Sequence, residues 1–247
     1  MAYALTGLDQ GLDARRAVTI GKLFAASFPN FEATAALYKP GQEVVGEGDP
    51  TENFFLAVRG LFRAVKYTRD GRRQVFAFYM PGDMCGLEPD ATHKLTVEAV
   101  NKAAMAILPR HACRMRMNDD PYFNAALFEH ATRALTLSVD HMTILGRNSA
   151  EERLAWFLIM LQGRSTLPEP CPAVIELAME RQDIADYLGL SIETISRTFT
   201  LFRERGFITL STTRRVEIVW PAALARLAAA DRDAAPVSSS ATARMAH

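Results

Sequence analysis

Hydrophobic and polar positions change rhythm along the chain. From Pro40 to about Leu108, apolar residues come in short runs: Phe54 to Val58, Leu61 to Tyr67, Gln74 to Tyr79 and Thr96 to Val100. Gly and Pro break them, at Pro40-Gly41, Gly46, Gly48-Asp49-Pro50, Gly60 and Pro81-Gly82. Runs of that length, interrupted that often, predict an antiparallel sandwich or barrel. Asp70-Gly71 predicts a tight hairpin, because the primed turn needs positive φ. From Tyr122 to Leu145 there is neither Gly nor Pro, and Phe128, Ala131, Leu135, Val139 and Met142 recur at steps of three and four. That period predicts a long helix with one apolar stripe. Its length of roughly 36 Å exceeds the needs of a small domain, so the stripe is expected to meet another helix, its symmetry mate.

Gly146-Arg147-Asn148 interrupts the helix, and Ser149-Ala150-Glu151-Glu152 has the form of a capping box opening the next. Leu154, Phe157, Leu158 and Leu161 form its buried face and Gly163 ends it. Leu167 to Pro172, with three prolines, reads as a loop. Residues 1–38 show no strong period and read as a helical lead-in; residues 233–247, mostly Ala and Ser, read as a disordered tail.

Residues 181–205 have two distinct faces. Arg181 to Leu188 predicts a helix that turns Ile184, Ala185 and Leu188 inward; Gly189-Leu190 forms a turn, and Ser191 is placed to cap a second helix. In that second helix Ile192, Ile195, Phe199 and Phe202 follow the buried step, while Glu193, Ser196, Arg197 and Thr200 share the opposite stripe. A small helix, a glycine turn and a capped helix with a polar stripe make a helix-turn-helix. Arginine in the major groove donates two hydrogen bonds to guanine, a carboxylate one turn earlier accepts from a base amino group, and serine touches a base edge. Glu193, Ser196 and Arg197 are therefore the expected base readers. Arg181, Gln182, Ser191, Thr194 and Thr200 are expected on the backbone, which sets register. Gly206 to Leu210 and Val216 to Val219 read as strands of a β-wing, whose tip, Ser211 to Arg215, offers Arg214 and Arg215 to phosphates.

Composition narrows the class. The chain has 247 residues, 49% hydrophobic and 23% charged, which suits a packed core. It carries neither a membrane-length apolar run nor a secretory start, and these features predict a soluble, cytoplasmic chain. Cys85, Cys113 and Cys171 are far apart, so a zinc ribbon or a four-thiolate cluster is not expected. Cations and acids balance at 28 each, against indiscriminate nucleic-acid coating. Yet residues 197–215 hold five arginines against Glu204 alone, a local +4, and arginine's planar fork suits phosphates and base edges. Cys113 and Cys171 are candidate redox-sensitive thiols, with Arg110, His111 and Arg114 placed to lower the pKa of Cys113; inert, buried thiols are the plainer expectation. His130 and His141 on the long helix are read as surface or interface histidines rather than haem ligands. No nucleophile–base pair, phosphate loop or metal-ligand cluster is present, so neither an enzyme nor a cofactor or metal site is expected.

The run Arg181 to Ser191 followed by Glu193-Thr194-Ile195-Ser196-Arg197 resembles the DNA-reading motif of the CRP/FNR superfamily of bacterial regulators, closer to its FNR and FixK branch because Ile192 stands where the cyclic-AMP branch has arginine. The resemblance spans nearly the whole chain. It implies an α+β fold: a cyclic-nucleotide-binding-like β-roll (jelly roll) at 39–119, a dimerisation helix at 120–147 and a winged helix-turn-helix at 148–232. It further implies a homodimer, held through Phe128, Ala131, Leu135, Val139 and Met142, on an inverted repeat with TTGAT- or TTGAC-like half-sites. Arg197 would meet the guanine, and the loop from Arg164 to Pro172 would contact RNA polymerase. Such members usually activate genes of low-oxygen and nitrogen metabolism. The chain departs from the family's oxygen sensors in having no cysteine before Cys85, and from its nucleotide binders in carrying His93-Lys94-Leu95 where they carry Arg-Ser. Effector-dependent DNA binding through the β-roll is the alternative reading. Glu180 also departs, standing where Ser or Thr usually caps the first helix.

Overall fold

The computed structural model describes residues 28, 31, 33–146, 149–164 and 174–229. The tail, most of the lead-in and the loop after Arg164 lie outside the described residues, as does Cys171. Among the described residues, eight strands come first: β1 (Thr34–Tyr38), β2 (Glu43–Val45), β3 (Asn53–Arg59), β4 (Phe62–Tyr67), β5 (Arg73–Tyr79), β6 (Met84–Cys85), β7 (Thr96–Ala99) and β8 (Ala103–Pro109). They form two antiparallel four-stranded sheets, ordered β1-β8-β3-β6 and β2-β7-β4-β5. Four expected strands are present as β3, β4, β5 and β7. The lead-in is corrected at its end, since Thr34–Tyr38 is not helical but an edge strand paired along β8.

Strands β3 and β8 explain why their apolar runs lack alternation. Phe55 and Ala57 of β3, with Ala103 and Met105 of β8, enter the core shared with the second sheet. Leu56 and Val58, with Ala104, Ala106 and Leu108, point the other way into a second core. A strand buried on both faces reads as continuous hydrophobicity. The β4–β5 hairpin turns at Gly71, whose φ of 80° suits glycine.

The second core is closed by helices. Helix α1 (Arg110–Asp119) was not anticipated as an element separate from the β-roll; it contributes Cys113, and α2 (Pro121–Leu145) contributes Phe123 and Leu127. Asp120 accepts from the backbone N–H groups of Tyr122 and Phe123, capping α2. Along α2 the anticipated stripe stays exposed: Phe128 is 70% and Leu135 63% accessible, with Val139 and Met142 also exposed and Ala131 partly so. The stripe does not pack on its own β-roll.

Among the described residues, four helices and three strands follow. These are α3 (Ala150–Gly163), β9 (Val174–Glu176), α4 (Arg181–Leu188), α5 (Ile192–Glu204), β10 (Ile208–Leu210), β11 (Arg215–Ile218) and finally α6 (Pro221–Ala229). Ser149 accepts from the Glu152 N–H at 3.1 Å, as the capping box requires. The wing is a three-stranded sheet, β10-β11-β9; β9 follows the proline-rich segment and was not legible as a strand. Contacts divide the chain into two units. The first comprises residues to Leu145 together with Leu177–Glu193, so α4 belongs with the β-roll; the second comprises Gly146–Glu176 and the chain from Thr194.

Candidate nucleic-acid interface

Helix α4 runs from Arg181 to Leu188 and ends at Gly189, whose φ of 61° and ψ of 41° close the helix in the left-handed form. Its N–H bonds back to Ala185, as does that of Leu190. Ser191 is exposed and α5 begins directly after it. Ile195, Phe199 and Phe202 are buried as expected. Ile192 is corrected: it is 37% exposed, because the first residue of the helix precedes the turn in which its apolar face closes.

Glu193, Ser196, Arg197 and Thr200 are all exposed, and Thr194 is half-buried. An Arg197 guanidinium nitrogen lies 3.5 Å from the Thr194 hydroxyl, one turn back. Thr200 donates to the Ser196 carbonyl at 3.1 Å. Glu193, Ser196 and Arg197 thus form an exposed row along one side of the helix. Phe207 carries the chain into the wing: its N–H bonds the Phe202 carbonyl, its carbonyl accepts from Val219 and Trp220, and its ring meets Phe202 at 5.8 Å. Arg214 and Arg215 are exposed, Arg214 at the turn and Arg215 at the start of β11. Not every arginine of the basic stretch is available, since Arg205 pairs with Glu151 at 2.6 Å.

The first helix differs from expectation. Gln182 is exposed and bonds Asp186 at 2.6 Å, while Arg181 is half-buried. Burial lowers the Arg181 guanidinium to about 10, which leaves it charged at neutral pH. Asp183, unremarked in the sequence, is buried with its side chain 2% accessible. Its Oδ1 accepts from Arg63 of β4 at 2.5 Å and from Arg73 of β5 at 2.6 Å, and its Oδ2 accepts the Glu180 N–H at 3.1 Å. The first turn is thus capped from Asp183, so the atypical Glu180 need not supply the whole cap. Arg73 also reaches Asp186 at 2.7 Å. Burial works against the Arg73 charge, but Asp186 and Asp183 outweigh it and hold its pKa above the ordinary value.

One other expectation changes. His141 is a buried residue of α2, not a surface one, stacked on Tyr187 at 3.8 Å. Burial lowers its pKa, offset in part by hydrogen bonds to the Tyr187 and Phe76 backbone. His130 stacks on Phe28. Cys113 is not activated by its basic neighbours: burial pushes its thiol up to about 11 and Cys85 higher still. Among the described residues, no helix is long and apolar enough to cross a membrane.

A β-roll, a long helix with an exposed apolar stripe and a winged helix-turn-helix define a DNA-binding regulator. The comparisons agree. Residues 152–227 match the Crp-like helix-turn-helix domain and residues 36–120 the cyclic nucleotide-binding domain. The chain is 38% identical over 195 residues to the nitrogen fixation regulation protein FixK of Azorhizobium caulinodans, covering 78% of this chain and 79% of that protein. It is 36% identical to FixK of Rhizobium meliloti, covering 78% and 86%. The solved structure of FixK2 from Bradyrhizobium japonicum superposes with a TM-score of 0.74 at 33% identity, over 80% of this chain and 98% of that one. The chain belongs to the CRP/FNR family of transcription regulators, beside the FixK proteins, and the family is one of regulators rather than enzymes.

Proposed function

We propose that the protein is a cytoplasmic, homodimeric transcription activator that reads an inverted repeat of TTGA(T/C)-like half-sites and contacts RNA polymerase. The observation that carries this reading is the row of Glu193, Ser196 and Arg197, exposed on a helix whose opposite side, Ile195, Phe199 and Phe202, is buried. In the groove, Arg197 donates to guanine, Glu193 accepts from a neighbouring amino group and Ser196 touches a base edge. Arg181, Gln182, Ser191, Thr194, Thr200, Arg214 and Arg215 set register on the phosphates. A helix stripe exposing Phe128, Leu135, Val139 and Met142 is apolar surface that a second copy would cover, and an isologous pair would present two reading helices to two half-sites. Control of nitrogen or low-oxygen metabolism follows from likeness to the FixK proteins.

The match of residues 36–120 to a cyclic nucleotide-binding domain supports a second reading, in which DNA binding waits for an effector in the β-roll. One experiment separates the two. Oligonucleotides are selected from a random pool by the purified protein, with and without cyclic nucleotide, and the recovered sites are footprinted. Recovery of a TTGA-containing inverted repeat without ligand is expected. Recovery only with nucleotide would favour the second reading, and no enrichment would sink both.

A further inference from the structure

The first helix of the motif is held at both ends by groups outside it. At its N-terminal end are the Arg63 and Arg73 bonds to Asp183. At its C-terminal end, Gln74 Nε2 donates to the Asp186 carbonyl at 2.6 Å, and His141 Nε2 lies 2.7 Å from the Tyr187 carbonyl. The last four carbonyls of a helix lack partners within it; two of those in α4 are met by side chains of β5 and α2. A helix of eight residues does not hold itself, since isolated helices below about 12–15 residues are marginal in water. The order of α4 is therefore supplied largely by its surroundings, and the chain passes from α4 through Gly189 directly into α5.

We infer that Arg63, Arg73 and Gln74 form a clamp that positions α4, and with it the start of α5, for DNA. This rests on the DNA-binding reading above. In a helix-turn-helix the first helix crosses the backbone while the second enters the groove. A released α4 must be ordered at the moment of binding, which lowers apparent affinity by the fraction of molecules already competent. That factor multiplies every site alike, so the clamp governs affinity without altering which bases are read. None of the three residues is assigned a contact with DNA.

The test is a gel-shift titration of the full chain and of a variant combining Arg63→Met, Arg73→Met and Asp183→Asn. Arg63 also pairs with Glu98 and Arg73 with Asp186, each at 2.7 Å, so the variant carries Glu98→Gln and Asp186→Asn as well; removing the charges together then strands none of them, and such exchanges are often close to neutral for folding. Two duplexes are used, a site selected by the parent and the same site with one half-site base pair changed. Affinity is expected to fall about tenfold or more on both, with their ratio unchanged; amide exchange in residues 182–190 of the free variant is expected to accelerate about tenfold, while that of β3 and β8 stays put. Arg73→Lys keeps the charge but loses the fork that bridges Asp183 and Asp186, so its affinity should fall between those of the parent and the combined variant on both duplexes. Unchanged or improved affinity, or a changed ratio, would overturn the inference. Should the combined variant fail to fold, Gln74→Leu removes one neutral hydrogen bond and should cost about threefold on both duplexes; no loss overturns the clamp. If the parent binds no duplex, the DNA reading itself fails, and exchange decides: unaccelerated α4 amides in the variant overturn the clamp.

Discussion

The two helices of the reading motif place their charged residues in opposite ways. In α4, Asp183 is 2% accessible and shared between two arginines, and Asp186 bonds both Arg73 and Gln182. In α5, Glu193, Ser196 and Arg197 all face solvent. Charges of α4 answered from within the chain serve shape. The polar row of α5 faces solvent along one side of its helix, which suits a partner. A buried ion pair is weak evidence of stabilisation, whereas an arginine projecting from a helix presents a planar fork of donors to whatever meets it.

Breaking that contrast on the α4 side should have the largest effect. Asp183→Ala leaves Arg63 and Arg73 without their shared carboxylate and is expected to cost about 3 kcal/mol of folding stability, read from denaturant melts. The lower end of the range applies because the two arginine side chains remain 17% and 19% accessible. On the α5 side, Arg197→Ala should leave the melt unmoved and remove about 1–3 kcal/mol of discrimination at one half-site base pair, measured by competition between duplexes. An unaltered footprint preference would disprove the groove contact. Arg214→Ala, in the wing, should weaken all duplexes alike by a smaller factor and reduce the salt slope by about 1; a loss confined to one sequence would contradict its backbone role.

Some of the architecture could be read without coordinates. The Gly/Pro-punctuated runs became β3, β4, β5 and β7, the unbroken stretch became α2, and the two-faced segment became α4 and α5, because each pattern is set by local period. Elements with weaker local signals were missed. Strand β1 sat inside an unpatterned segment, and β9 has three residues after a proline-rich stretch; both are strands by virtue of pairing with β8 and β11. His141 was likewise misjudged, because its burial against Tyr187 comes from packing that local sequence does not show.

The amino-acid order alone determined which side of α5 would be polar, since a period of about 3.6 residues assigns faces without reference to any other element. It also marked α2 as carrying more apolar surface than its own unit covers. Only the tertiary structure decided the fate of Asp183. Its partners Arg63 and Arg73 lie 120 and 110 residues away in the chain, and pairing across that span comes from sheet topology and docking, which no local periodicity encodes.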